Sequence, residues 1–250
     1  MNSTMFRASL DDAKNLKYII ESVSDLVDEA VLFLKRDMLS MEACDPSLVC
    51  KIELDLQSSF FTDYKATEER TIGLSMSALR KVSRRILLGD GMFMELNGGT
   101  MDFTLQSSIE RQFQCMLLEA QEEVLPTIDV EYPVFIDMDV SVFKEGVRDA
   151  AIVANSVLFE VTPEEMIISA EGDTERARIR ITSTNESVKE FRVKEACCSR
   201  FNLGYLVSFL HSSYISDSVH IYMGDKNMPL RIDFPVEGMR LTFYLAPMEL

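Results

Sequence analysis

Four cations stand close together in the stretch 75–88, SMSALRKVSRRILL: Arg80, Lys81, Arg84 and Arg85. No acid interrupts them, in a chain of 250 residues whose formal net charge is −16. Wound as a helix at about 100° per residue, the four cations and Ser77 share one face, while Leu79, Val82 and Ile86 share the opposite one. A positive front on an apolar back makes and breaks no bonds. It can hold a polyanion by charge, provided other elements add a similar face. A single charge run is more often a solvated surface helix, so the rest of the chain decides.

Residues that carry out reactions are sparse. The chain has two histidines, His211 and His220, and no nucleophile elbow, P-loop or zinc-ligand spacing. The acidic pairs Glu122-Glu123 and Glu164-Glu165 read as solvated turns rather than catalytic carboxylates. Cys44, Cys50, Cys115, Cys197 and Cys198 are odd in number and lack metal-ligand spacing, so they read as reduced, mostly buried small hydrophobes. The expectation is no enzyme, no metal and no cofactor. With 47% hydrophobic and 26% charged residues the chain is globular, and its acidity argues against coating nucleic acid with the whole surface. No apolar run approaches the ~18 residues of a membrane span, and MNSTMFRASLDD lacks the apolar core of a signal peptide. A soluble intracellular protein is expected.

The elements that must position the cations follow from the hydrophobic pattern. FRASL near the start alternates like a strand, and residues 12–30 read as a helix with a stripe of Leu16, Ile19, Ile20, Val23, Leu26 and Val27, Asp11 or Asp12 near its N-cap. Lys14 and Lys17 lead its polar face before Glu21, Asp25 and Asp28 dilute them. Strands AVLFL, MLSMEA, CKIELDL and TIGLSM lead into the basic helix, with a turn at Asp45-Pro46-Ser47. MFMEL and MDFTLQ flank Asn97-Gly98-Gly99 as a hairpin, and 108–118 alternates again.

An acidic stretch with Pro126, EAQEEVLPTIDVE at 119–131, has no sustained period and reads as a linker. Beyond it the order repeats. VFIDMDV is a strand, and 141–154 is a helix with Lys144 and Arg148 opposite Gly146, Ala150 and Val153. SVLFEVTPEEMIISAEG matches AVLFLKRDMLSMEAC at an offset of roughly 127 residues. RARIRI is a strictly alternating strand, 201–212 a second short helix, VHIYMGDKNMPLRIDF a second hairpin and RLTFYLAP a closing strand. The reading is an α+β fold of two duplicated domains, 1–118 and 132–250, each with helices on one face of antiparallel sheets.

In this order and spacing the pieces MFRASL, DPSLV at 45–49, the linker ending in Tyr132 and the terminal LAP at 245–247 resemble proliferating cell nuclear antigen, the sliding-clamp family of archaeal and eukaryotic replication. The resemblance covers nearly the whole chain, with 1–4 a short lead before the family's usual start. It implies the DNA-clamp fold: a closed homotrimer, sheet outside, helices lining a hole that takes double-stranded DNA without reading sequence. An acidic exterior then keeps DNA to the hole. On that reading Lys14, Lys17, Arg80, Lys81, Arg84, Arg85, Lys144 and Arg148 face the DNA. The fourth helix departs from the pattern, since Gly204, Ser208 and His211 on its polar side include no lasting cation.

The resemblance also implies a pocket for client peptides carrying a glutamine, an aliphatic residue and paired aromatics. The matching positions are Cys44, Leu48 and Val49; Leu125, Thr127, Ile128 and Tyr132; and Pro229, Tyr244, Leu245, Ala246 and Pro247. DNA polymerase, clamp loader, ligase and flap nuclease are the implied clients. Edge strands should close the ring, Glu110, Phe113 and Cys115 of one subunit meeting Arg176, Arg178 and Arg180 of the next. The alternative is a subunit of a heterotrimeric or DNA-damage checkpoint clamp, to which the weak fourth helix points. The ending MEL and the lack of a basic import signal suit an archaeal-like cytoplasmic protein, or a nuclear one if the source is eukaryotic.

Overall fold

The computed structural model describes residues 5–120 and 125–249. The lead 1–4, Leu250, and Glu122-Glu123 of the linker therefore lie outside the described residues. The chain forms two compact units, and each takes short segments from the other half of the sequence.

The first unit comprises the described parts of Met1–Pro46 and Ile52–Leu125, with Val236–Leu241. Its elements run β1 (Phe6–Leu10), α1 (Lys14–Ser24), β2 (Glu29–Leu34), β3 (Met38–Cys44), most of β4 (Cys50–Gln57), β5 (Asp63–Ala66), β6 (Arg70–Ser75), α2 (Met76–Ser83), β7 (Gly91–Asn97), β8 (Thr100–Gln106) and β9 (Glu110–Met116). One sheet has the order β5-β1-β7-β8-β9, and β4-β3-β2-β6 run side by side in another. Period-two alternation buries one face of each strand, as Met92, Met94 and Leu96 of β7 are buried against Met101, Phe103 and Leu105 of β8. The hairpin between them turns at Gly98, whose φ of 57° suits a residue without a Cβ. The apolar backs of α1 and α2 and the turn after α2 complete the core: Leu16, Ile19, Ile20, Val23, Leu79, Val82 and Ile86 are all buried.

The second unit comprises Ser47–Lys51, Pro126–Pro235 and the described part of Thr242–Leu250. It contains β10 (Val134–Asp139), α3 (Val140–Val153), β11 (Ser156–Val161), β12 (Glu165–Glu171), β13 (Arg176–Thr182), β14 (Val188–Val193), β15 (Cys197–Asn202), α4 (Leu203–Phe209), β16 (Ser218–Met223), β17 (Leu230–Asp233) and the second half of β18 (Met239–Leu245). The sheet orders are β13-β12-β11-β15 and β14-β10-β16-β17-β18. The first unit's plan of two sheets and two helices recurs. Phe143 of α3, Phe159 of β11 and Phe201 of β15 are fully buried, with Phe159 and Phe201 ring centroids 5.5 Å apart. Against β12, α3 packs through Gly146, where a Cβ would stand 2.9 Å from the Ile168 Cδ1.

Several elements differ from the sequence expectation. The helix expected over 12–30 stops at Ser24, because Glu29 to Leu34 pairs in register with β6 and a strand period takes over. Its N-cap is Ala13, although Asp12 Oδ1 accepts the Lys14 N–H at 2.9 Å. Expected over 75–88, α2 ends at Ser83; the bonds Arg85 N–H to Val82 and Ile86 N–H to Ser83 tighten the chain, and Gly89 at φ 78° reverses it. Residues 201–202 close β15 instead of opening a helix, and Asn202 caps α4 by accepting the Gly204 N–H at 2.8 Å. A 3-10 turn, Leu210–Tyr214, follows α4. Strands β5, β14 and β15 escaped the sequence reading.

Candidate nucleic-acid interface

The basic stretch divides into bound and free cations. Ser75 caps α2, accepting the Ala78 N–H at 3.4 Å. With its stripe against the core, Lys81, Arg84 and Arg85 are exposed. Arg80 is not presented in the same way: its Nη1 lies 2.5 Å from Asp25 Oδ1, and its side chain is 31% exposed. Asp25 follows α1 directly, so this pair ties the two helices. Arg84 caps the C-terminus of α2 and Arg85 lies past it. On α1, Lys14 is exposed, whereas Lys17 is half-buried and donates to the Ile86 carbonyl at 3.3 Å.

The turn holding Arg84 and Arg85 is clamped from beneath. Arg111 of β9 donates through Nη1 to the Arg85 carbonyl at 2.7 Å and through Nη2 to Asp90 at 2.5 Å. Asp90 is fully buried and also accepts the Leu87 N–H at 2.6 Å. Burial alone would push its carboxyl up. The Leu87 N–H, Arg111 and Ser107 outweigh burial and hold it below the usual carboxylate value. Neither Asp25 nor Arg111 was singled out by spacing. The reversal at Gly89 before Asp90 was the available signal.

In the second unit, α3 exposes Arg148 and half-buries Lys144, while Gly146 and Ala150 face inward as expected. Arg148 Nη1 lies 3.4 Å from Glu145. Gly204 is exposed on α4, and Ser208 and His211 are half-buried. Tyr214, which the sequence reading passed over, places its ring 4.0 Å from the Lys144 ammonium.

The expected client-pocket residues fall into groups. Leu48 is 70% exposed at a φ of 56°, unusual for a residue with a Cβ. Its neighbour Val49 accepts the Ala246 N–H at 2.8 Å, and buried Lys51 donates to the Pro126 carbonyl at 3.1 Å, joining 47–51 to the chain end and to the linker. Thr127 is exposed and Ile128 half-buried. Tyr132 packs beside Tyr222 at 5.9 Å, and Arg231 lies 4.6 Å from Tyr222 and 5.9 Å from Tyr244. Pro229 and Ala246 are half-buried, and Pro247 lines a hollow with Lys226, Asn227 and Met248. Leu245 is fully buried and supports this region from within. Cys44 and Leu125 are half-buried in the first unit.

Both expected interface strands are sheet edges. On β9, Glu110, Gln112 and Gln114 are exposed, Phe113 is half-buried and Cys115 points into the core, where burial and Asp102 push its thiol up. On β13, Arg176, Arg178 and Arg180 are exposed; Arg176 pairs with Glu171 at 2.6 Å, and Arg180 pairs with Glu165.

The models of the N-terminal and C-terminal domains of proliferating cell nuclear antigen match residues 5–122 and 126–249. The chain belongs to the proliferating cell nuclear antigen family. It is 34% identical over 248 residues to the DNA polymerase sliding clamp of Thermococcus sibiricus, covering 97% of this chain and 98% of that protein. It is also 34% identical over 238 residues to DNA polymerase sliding clamp 1 of Pyrobaculum aerophilum, covering 94% and 95%. Solved structures share the fold. The PCNA of Thermococcus kodakaraensis aligns at a TM-score of 0.90 and 24% identity, over 97% of this chain and 100% of that one. A chain of a PCNA2–PCNA3 complex from Sulfolobus tokodaii aligns at 0.90 and 24%, over 96% and 98%. The family is one of processivity factors, so the chain is not an enzyme. Among the described residues, no helix is long and apolar enough to cross a membrane.

Proposed function

We propose that this family member is a DNA polymerase sliding clamp that closes as a homotrimer around duplex DNA and carries clients on its outer surface. The carrying observation is a near-full-length match to named sliding clamps, in a chain that leaves Lys81, Arg84 and Arg85 exposed on one edge of its first unit. Duplex DNA presents a charge every ~1.7 Å of its axis, so a few cations without base readout hold it and still let it slide. Lys14, Lys17, Arg80, Lys144, Arg148 and His211 complete the DNA-facing set, with Arg80 largely neutralised by Asp25.

The client pocket is proposed around Val49, Ile128, Tyr132, Pro229, Tyr244 and Pro247, with the linker as the strip that pairs with an extended peptide. Edge-strand pairing of β9 with β13 of the next copy closes the ring, and the domain division at 119–131 follows from the same reading. Polymerase, clamp loader, ligase and flap nuclease are the proposed clients. The Thermococcus sibiricus and Pyrococcus horikoshii relatives bear the plain name DNA polymerase sliding clamp, which does not favour the heterotrimeric or checkpoint alternative.

Topology tests the proposal. Clamp loaded on a nicked circle should survive a high-salt wash and come off when the circle is linearised. Retention on linear DNA with free ends through the same high-salt wash would overturn it.

A further inference from the structure

The polar side of α4 supplies no lasting cation, yet the turn that follows it carries an aromatic residue which α3 reaches. Tyr214 is 46% exposed. The Lys144 ammonium stands 4.0 Å from its ring centroid. Lys144, and then Arg148, act on the phenol hydroxyl by hydrogen bonding and charge, and together they hold it below its ordinary pKa. Lys144 and Arg148 are one turn apart on α3, so they share a face. The other charged or titratable groups on these two elements are Glu145, which pairs with Arg148 at 3.4 Å, Asp149 and His211.

We propose that Tyr214 is a positioning residue that gathers Lys144 and Arg148 into one receptor for a backbone phosphate of duplex DNA, beside the helix that lacks its own cation. The inference rests on the sliding-clamp reading. A lysine side chain loses considerable rotamer freedom when fixed in one place, and an aromatic face fixes it before the ligand arrives. The ammonium and guanidinium keep further N–H donors for the two non-bridging oxygens of a phosphodiester. A phosphate held there sets its negative charge beside the phenol and disfavours the phenolate, while the cations stay on the ring.

Two measurements on the intact protein test this, with a fluorescent duplex of mixed sequence at low salt. Tyr214→Ala should weaken duplex binding about two- to fivefold, because the phosphate must then order the Lys144 side chain itself. Its salt slope should stay that of the wild type, because no cation is lost. Lys144→Ala should lower the slope by about 0.9. The phenolate absorbance of Tyr214, isolated by subtracting Tyr214→Phe, should move to higher pH when duplex is added. A phenol midpoint unmoved by duplex, or a Tyr214→Ala protein that binds as tightly as wild type, would overturn the positioning role while leaving the clamp reading intact. Failure of the wild type to bind duplex in a salt-dependent way would strike the clamp reading itself.

Discussion

Arg111 reaches from β9 to fully buried Asp90, their closest atoms 2.5 Å apart and the arginine side chain only 13% exposed. The same guanidinium holds the Arg85 carbonyl. An edge strand is thereby fastened to the turn that displays Arg84 and Arg85.

Asp90→Ala should lower the unfolding free energy of the intact protein by about 3 kcal/mol, since it leaves a nearly buried guanidinium unpaired. Urea denaturation at neutral pH measures this. The sign of the pH dependence follows from the lowered carboxyl. Its stabilisation is fully present above the ordinary carboxylate range and is lost as pH falls through the lower folded-state value. The deficit of the variant should therefore shrink on acidification, and a deficit that grows would refute the assignment.

Lys81→Ala with Arg84→Ala should cut the salt slope of low-salt duplex binding by about two, and reduce processivity in primer extension, with the ring still assembled. Arg80→Ala should behave differently. Its charge is already committed to Asp25, so its loss should appear mainly in thermal stability. Equal slopes for all three proteins would remove α2 from the DNA-facing set.

Charged residues at Ile128 and Pro247 together should abolish binding of a client peptide, read by fluorescence anisotropy. Both are partly accessible, so the fold should survive, as circular dichroism can check. Binding that persists would move the pocket elsewhere.

Arg178→Glu should weaken self-association. Arg178 is exposed at the middle of an edge strand, with Ser169 rather than an acid opposite it in β12. Light scattering of the wild type should give about three times 28.4 kDa, and the variant should shift toward the monomer on dilution. A variant as tightly associated as wild type would exclude this strand from the contact.

Much of the fold was legible because its signals are local and periodic. RARIRI alternates along β13, Gly98 turns a hairpin, and Leu79 and Val82 mark the buried side of α2. Helix ends were less legible, since pairing partners distant in sequence decide them. Leu26 and Val27 continue the helical stripe and are buried, yet they lie in the turn before β2. The burial of β14 residues is mixed, with two exposed neighbours at Lys189 and Glu190, so no clean period announces that strand. For the candidate site, residue types located the cations, but only tertiary structure separates exposed Lys81 from paired Arg80. Tyr214 met Lys144 across some seventy residues, a distance at which spacing carries no information.

The missing methyl group at Gly146 lets α3, the helix of Lys144 and Arg148, lie close on Ile168 of its sheet. With a Cβ there just 2.9 Å from the Ile168 Cδ1, alanine would force that side chain aside or lift the helix. A lifted helix would carry both cations farther out. The seat of a helix that carries two cations is thus shaped from the opposite face, by a residue with no side chain at all.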